Sequence, residues 1–460
     1  MTSRTLQGEF WLAGDENNRQ RGVLDIAPLA APVVKTFGPL LSPWQEKSRK
    51  QVEGGRTQVT WSIARDSLMV PVTIHGQDSA GTPLTVLDAL ASHWGQPDQT
   101  GARHVLQGSQ AIIGAHIPDR DHHFTGIRVR LSKLRAYQPL LQEPTWVSEG
   151  VLGNGATVAF QTPEASGGTS DHQSPWISAQ GFPPATMRVL DRSIWQPLIS
   201  LFTLATGSPC TSLERQVQES PGASWQDAYS EALHPDAKDT DTYWEPPRWL
   251  LQPTDLQMQH IVAWLDKAEL LGPLPAVVAD VAHSRPITID TQVLLLTTVA
   301  EGLHRRLYPE DVRFDDNIAK QVRTTAATAV SSIHEQAEDT VRGLLSHVED
   351  VGYGSRLACL ARTVDAIMPG VTGKTNRWKN LVSDARNEYA HRLKSAFLND
   401  EDFDRYLTVA FSLRWLLTGV LLLQADLSAK KLTASFEGHE PYQRFLADAI
   451  KWQPRIYESG

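Results

Sequence analysis

The chain has 460 residues, 41% of them hydrophobic and 21% charged, with a formal net charge of −9. That length holds two or three domains, and that balance excludes a disordered chain. The negative charge argues against a protein that coats nucleic acid without selectivity, though it leaves room for a local basic site.

The first residues, MTSRTLQGEFWLAGDENN, have no apolar core of the kind a secretory leader needs, so none is expected. The two cysteines, Cys210 and Cys359, lack CxxC spacing. No disulfide framework or cysteine zinc site is encoded, which fits a reducing cytoplasm. The first half then reads as β structure. Residues 60–76, 102–117 and 123–134 are short runs rich in Val, Ile and Thr, bounded by Gly, Pro and Asp. VLGNGATVAF (151–160) predicts a hairpin turning at Asn154-Gly155. Strands at this spacing predict a β-rich domain over residues 1–250, sandwich-like or barrel-like. Residues 164–185 read as a loop and 191–206 as a helix. The Pro-, Asp- and Glu-rich stretch 216–248 reads as a long excursion.

Over residues 255–460 the apolar period lengthens to that of a helix, and Gly352, Gly354, Pro369 and Gly370 punctuate it. The expected fold class is therefore α+β in two domains, the second an all-α bundle. The most apolar run, 409–425, carries Arg414 and Gln424. It is short for a membrane span and predicts a buried or interface helix.

One helical segment, SDARNEYAHRL (383–393), poses a question. On a helical wheel at about 100° per residue, Trp378, Val382, Ala385, Tyr389, Leu393 and Phe397 form one apolar arc. Arg386 falls inside that arc, while Asn387 and His391 lie on the other side. Burying an unpaired charge is costly, so Arg386 needs a carboxylate, a solvent channel or a ligand. Glu301, three residues before His304, is the carboxylate best suited to support it. The structural alternative is that ion pair alone, with His391 merely exposed.

Between 374 and 394 six cations stand against two acids, a net charge of +4 in an acidic protein. Lys374, Arg377, Lys379 and Lys394 extend this patch around Arg386 and suit the phosphates of a polyanion. Arginine recognises phosphate in bidentate fashion, and histidine can move a proton near neutral pH. Together they can drive attack of a ribose 2′-OH on the adjacent phosphorus, with the arginine stabilising the transition state. That chemistry needs no metal and no cofactor, and only RNA supplies the nucleophile.

Arg386-Asn387-Glu388-Tyr389-Ala390-His391 resembles the R-x4-6-H motif of HEPN domains, in its RN-x3-H form. GEFWLAG (8–14), TIHGQDSAGTPLTVLDA (73–89) and FTGIRVRLSKLRAY (124–137) resemble the N-terminal domain of ApeA-type proteins. VAEGLHRRLYPED (299–311) resembles the first bundle helix of their HEPN domain. The resemblance implies a helical HEPN bundle over 255–460 and catalytic roles for Arg386, Asn387 and His391. It also implies a cytoplasmic anti-phage ribonuclease that works as a homodimer or higher even-numbered oligomer. The 1–250 domain would sense a phage-derived trigger. A rival follows from the same resemblance, because some HEPN domains bind nucleotides or RNA, or regulate a partner, without cutting.

Three other segments weigh less. Arg342 and His347 repeat the spacing without the asparagine, among Glu335, Glu338, Asp339, Glu349 and Asp350, and read as a solvated helix face. PGVTGKT (369–375) ends like a phosphate loop, but Met368 stands where the pattern needs glycine. HIPDRDHHF (116–124) gathers three histidines and two aspartates and reads as a polar strand connection in preference to a metal site.

Overall fold

The computed structural model describes residues 4–27, 30–41, 44–52, 54, 56–63, 70–93, 104–132, 134, 147–161, 175–231, 249–283, 287–331, 333–391 and 400–458. The chain divides into two compact units. The first comprises Met1–Phe202, Cys210–Pro247 and Gln257–Asp266; the second comprises Thr203–Pro209, Arg248–Leu256 and Lys267–Gly460.

The first unit is built on strands. In chain order they are β1 (Arg4–Leu12), β2 (Gln20–Ile26), β3 (Val33–Thr36), β4 (Trp44–Val52), β5 (Arg56–Ile63), β6 (Val72–Asp78), β7 (Pro83–His93) and β8 (His104–Gln107). There follow β9 (Gln110–Ile113), β10 (His123–Leu131), β11 (Val147–Val151), β12 (Thr157–Gln161), β13 (Trp176–Thr186), β14 (Ser212–Gln218) and β15 (Gln226–Ser230). Strands β1, β2, β3, β8, β7 and β6 pair into a closed antiparallel ring, a barrel. Period-two patterning drives it: in β2, Gly22, Leu24 and Ile26 are buried while Val23 and Asp25 between them are half-buried. Phe10 fills the interior and lies across Gly76, where a Cβ would stand 2.6 Å from its ring.

Strand β7 forks. Leu84, Thr85, Val86 and Leu87 pair with β9, whereas Leu90, Ala91 and His93 pair with β8. The change of partner falls at Asp88, which takes a positive φ of 51° and accepts a hydrogen bond from Ser109 at 3.0 Å. Beyond β9 the sheet runs on through β15, β14, β10, β13 and β12 to β11. The β11–β12 hairpin turns at Asn154-Gly155, with Gly155 at φ 87°. Helices α1 (Met187–Leu190) and α2 (Gln196–Thr206) flank a π-helical turn, Asp191–Trp195. Helix α3 (Met258–Asp266) docks on the same unit: Trp264 donates to the Pro197 carbonyl at 2.9 Å, and Asp266 accepts from the Gly153 amide at 2.7 Å.

Two sequence expectations need correction. The stretch 216–248 is not an excursion throughout, because its first part continues β14 and then forms β15. Its polar residues hid the strands by being paired: Gln216 donates to Asp227 across the sheet at 2.6 Å, and next to it buried Arg215 meets Asp191 of the π-helical turn at 2.8 Å. Residues 232–248 lie outside the described residues. Likewise 164–185 is not all loop, since β13 occupies its second part; residues 162–174 are outside the described set.

The second unit is helical: α4 (Ala268–Leu271), α5 (Leu274–His283), α6 (Ile289–Leu307), α7 (Asp316–Ser331), α8 (Glu335–Leu344), α9 (Tyr353–Val364) and α10 (Thr375–His391). Then come α11 (Asp400–Leu423), α12 (Ala429–Gly438), α13 (Glu440–Trp452) and α14 (Pro454–Tyr457). Helix α11 is its axis. It is apolar almost all round, and α5, α6, α9, α10 and α13 pack against it. By length and composition α11 could cross a membrane, but 78% of its apolar window is buried inside the fold. Helices α7 and α8 differ from the rest: they pack mainly on each other. Ile318, Ile333 and Leu344 on or between them are exposed.

Candidate functional site

The site is built on α10. Trp378, Val382 and Ala385 are fully buried, and Trp378 donates to Ser412 of α11 at 2.8 Å, which fixes the helix rotation. Arg386 follows at the edge of that buried arc, with 35% of its side chain exposed.

Among the described residues, two groups hold the Arg386 guanidinium. Glu301 of α6 accepts from Nη2 at 2.6 Å, and the ring of Tyr353, at the start of α9, lies 4.4 Å from the guanidinium carbon. The stacking uses the electron-rich face of the ring. Tyr353 is itself fixed, since its hydroxyl donates to the Thr297 carbonyl at 3.1 Å. Burial holds that phenol well above its ordinary pKa, so it stays protonated.

The network continues from Glu301. Its other oxygen meets Arg305 at 3.2 Å, one helical turn on. Arg305 also makes two bonds to Asp350, at 3.0 and 3.3 Å. Hydrogen bonding to Arg305 draws the Asp350 carboxyl below its usual range, and Asp350 in turn raises Arg305. Buried Arg356 lies 3.6 Å from Asp350 and donates to the Val351 carbonyl at 2.9 Å and to His304 Nδ1 at 3.1 Å. Burial, and then Arg356, push His304 below its ordinary pKa.

His304, Asp311 and Cys359 bring one donor atom each within 4.8 Å of one another, the spacing of a metal site. The hydrogen bonding does not suit an ion. Arginine can only donate, so Arg356 makes His304 Nδ1 the acceptor and leaves the ring proton on Nε2. Nε2 is the nitrogen facing Asp311, at 3.2 Å, and with its proton it cannot be a ligand.

The other sequence candidates fall as follows. Asn387 is exposed on α10, and Glu388 beside it pairs with Arg405 and accepts from Tyr406 at 3.1 Å. Helix α10 ends at His391, whose side chain lies outside the described residues, as does Lys394. Lys374 and Arg377 are exposed at the start of α10, and Lys379 is half-buried. The 369–375 loop serves the fold: a Cβ at Gly373 would stand 2.5 Å from the Ile456 carbonyl, and the Lys374 amide donates to that carbonyl. Arg342 is paired with Glu338 at 2.8 Å, and His347 is solvent-exposed. In the 116–124 segment the histidines disperse: His116 bonds the Gly76 carbonyl, while His122 meets Glu219.

Sequence reading missed Tyr353 and Asp350, which come from the turn into α9 and carry no local signature. The Glu301–Arg305 spacing of four was readable as a helix-face pair.

Two family models match the chain. One, described as Apea-like HEPN, covers residues 294–431 and so contains Glu301, Tyr353, Arg386 and His391. The other, described as ApeA N-terminal domain 1, covers residues 5–158 and so contains the barrel strands. No curated protein and no solved structure matches.

Proposed function

Because the chain is an ApeA-type protein with a C-terminal HEPN domain, we propose that it is an anti-phage endoribonuclease that cuts RNA without a metal. The observation that carries this reading is Arg386. It is a half-exposed guanidinium held between Glu301 and Tyr353, on the helix that also bears Asn387 and His391.

In the proposed reaction His391 takes the proton of a ribose 2′-OH. The 2′-oxygen attacks the adjacent phosphorus, and the bond from phosphorus to the 5′-oxygen breaks. An imidazolium returns a proton to that leaving oxygen, giving a 2′,3′-cyclic phosphate and a 5′-hydroxyl. Arg386 stabilises the charge on the phosphate in the transition state, and Asn387 orients a phosphate oxygen. Lys374, Arg377, Lys379 and Lys394 guide the strand. With a single His391 per chain, base and acid are simultaneously available only when two copies meet, so the working form is a homodimer with a composite cleft. Residues 1–250 sense a phage-derived trigger in the cytoplasm.

Cleavage of RNA in excess EDTA by the wild type and His391→Ala, with analysis of product ends, tests this. Cyclic phosphate ends from the wild type alone are expected. One observation favours a second reading: Glu301 already neutralises Arg386 and so withholds it from the transition state, as it would in a domain that holds RNA through the surrounding cations without cutting. That reading predicts no cyclic phosphate ends even from infected cells, and loss of RNA affinity in His391→Ala.

A further inference from the structure

Arg386 sits in a closed circuit of contacts. It bonds Glu301, Glu301 bonds Arg305, and Arg305 bonds Asp350. Three residues along the chain from Asp350 stands Tyr353, whose ring lies against the same Arg386 guanidinium. The short segment 350–353 therefore touches Arg386 twice, once through a ring face and once through two intervening side chains.

Asp350 is also the root of the α7–α8 arm. It faces Val312 in an isolated β-bridge, and the Arg313 amide donates to the Glu349 carbonyl at 2.7 Å. Arg323 of α7 closes the root by bonding the Glu349 carboxylate and the Ser346 carbonyl, both at 3.0 Å. Beyond the root the arm is solvated, with Ile333 77% and Leu344 78% exposed. The arm is tied at its root through the segment that carries Asp350.

We propose that Asp350 is a positioning residue for Arg386, and that through it the α7–α8 arm sets how freely Arg386 can meet a phosphate. This rests on the reading of Arg386 as a phosphate-binding group. Arg305 is shared between Asp350 and Glu301. With Asp350 withdrawn, Arg305 turns wholly to Glu301, and Glu301 holds Arg386 less firmly. The loss of one negative charge acts in the same direction, toward phosphate binding.

Affinity for a fluorescein-labelled single-stranded RNA would be measured in EDTA, on a His391→Ala background that cannot cut. Asp350→Asn, Arg386→Gln and the pair are compared with the parent. The expected result is severalfold tighter binding in Asp350→Asn, with the gain abolished when Arg386→Gln is present. An equal gain in both backgrounds would mean that Asp350 acts only as a charge, and would overturn the proposal. So would an unchanged affinity in Asp350→Asn when Arg386→Gln alone weakens binding. The same four proteins are unfolded in urea. Distant independent sites give additive shifts, and no hydrogen bond or ion pair joins Asp350 to Arg386 directly among the described residues. The relay predicts non-additive shifts; additive ones overturn it. If Arg386→Gln leaves RNA affinity untouched, the phosphate reading fails, while the urea cycle still decides the relay.

Discussion

The carboxylate of Glu301 stands 2.6 Å from Arg386 Nη2, across 85 residues of sequence, and satisfies the charge on the edge of α10. The pair is partly solvated on both sides, so its worth to folding is modest. Its consequence for the site is larger, since an arginine that is already paired must exchange partners to bind a phosphate.

Glu301→Gln is therefore expected to cost little stability and to raise RNA affinity. A partly exposed ion pair contributes about 0.5–1 kcal/mol, a fall of roughly 2–4 °C or less in the melting temperature of the helical unit. Calorimetry and RNA titration on the same variant check both signs. Weaker RNA binding in Glu301→Gln would show that Glu301 orients Arg386 for the phosphate and does not restrain it.

Lys374→Ala and Arg377→Ala should each weaken RNA binding without changing sequence preference. For single strands the slope of log affinity against log salt falls by about 0.7 for each phosphate that the protein ceases to neutralise. Titrations across a range of salt concentrations give that slope directly. Lys320→Ala, on the arm, serves as the control and should leave it unchanged.

The helical unit should lose stability in mild acid through His439. This residue is buried between α12 and α13, edge-on to Trp415 at 5.5 Å, and burial, then Arg414, hold its pKa down to about 4. The unfolded chain takes up this proton near pH 6.5 and the folded one does not, so the contribution is fully present above that value. It is lost as pH falls toward 4, at no more than about 1.4 kcal/mol per pH unit. Melting curves from pH 7 to 4.5 should fall more steeply for the wild type than for His439→Gln.

Divalent metal should not stabilise the His304, Asp311 and Cys359 cluster, because the ring proton lies on the nitrogen that faces the other two. Melting temperatures with zinc, with EDTA and in Cys359→Ser are expected to agree. A zinc-dependent rise that disappears in Cys359→Ser would require Arg356 to release His304.

Much of the site was legible because α10 obeys a single period. The arc through Trp378, Val382 and Ala385 is buried as the wheel requires, and the charge at its edge demanded a partner. The partner's own companions were not legible. Asp350 acts from a turn and Tyr353 from the first residue of α9, where neither periodicity nor a motif marks which side chain points inward. In the β-rich half the strands within 216–230 were hidden by their own polar residues. Strands β14 and β15 hold polar residues such as Arg215, Gln216 and Asp227 in a paired state, and pairing erases the hydrophobic alternation from which strands are recognised.

The forked β7 also orders events during synthesis. All six staves of the barrel lie within the first 107 residues, and the ring closes when β8 joins β3 and the far half of β7. On a ribosome that ring can be complete long before α10 leaves the exit tunnel. The nascent chain thus acquires its barrel first and Arg386 near its end, so a prematurely terminated polypeptide carries the barrel without the arginine.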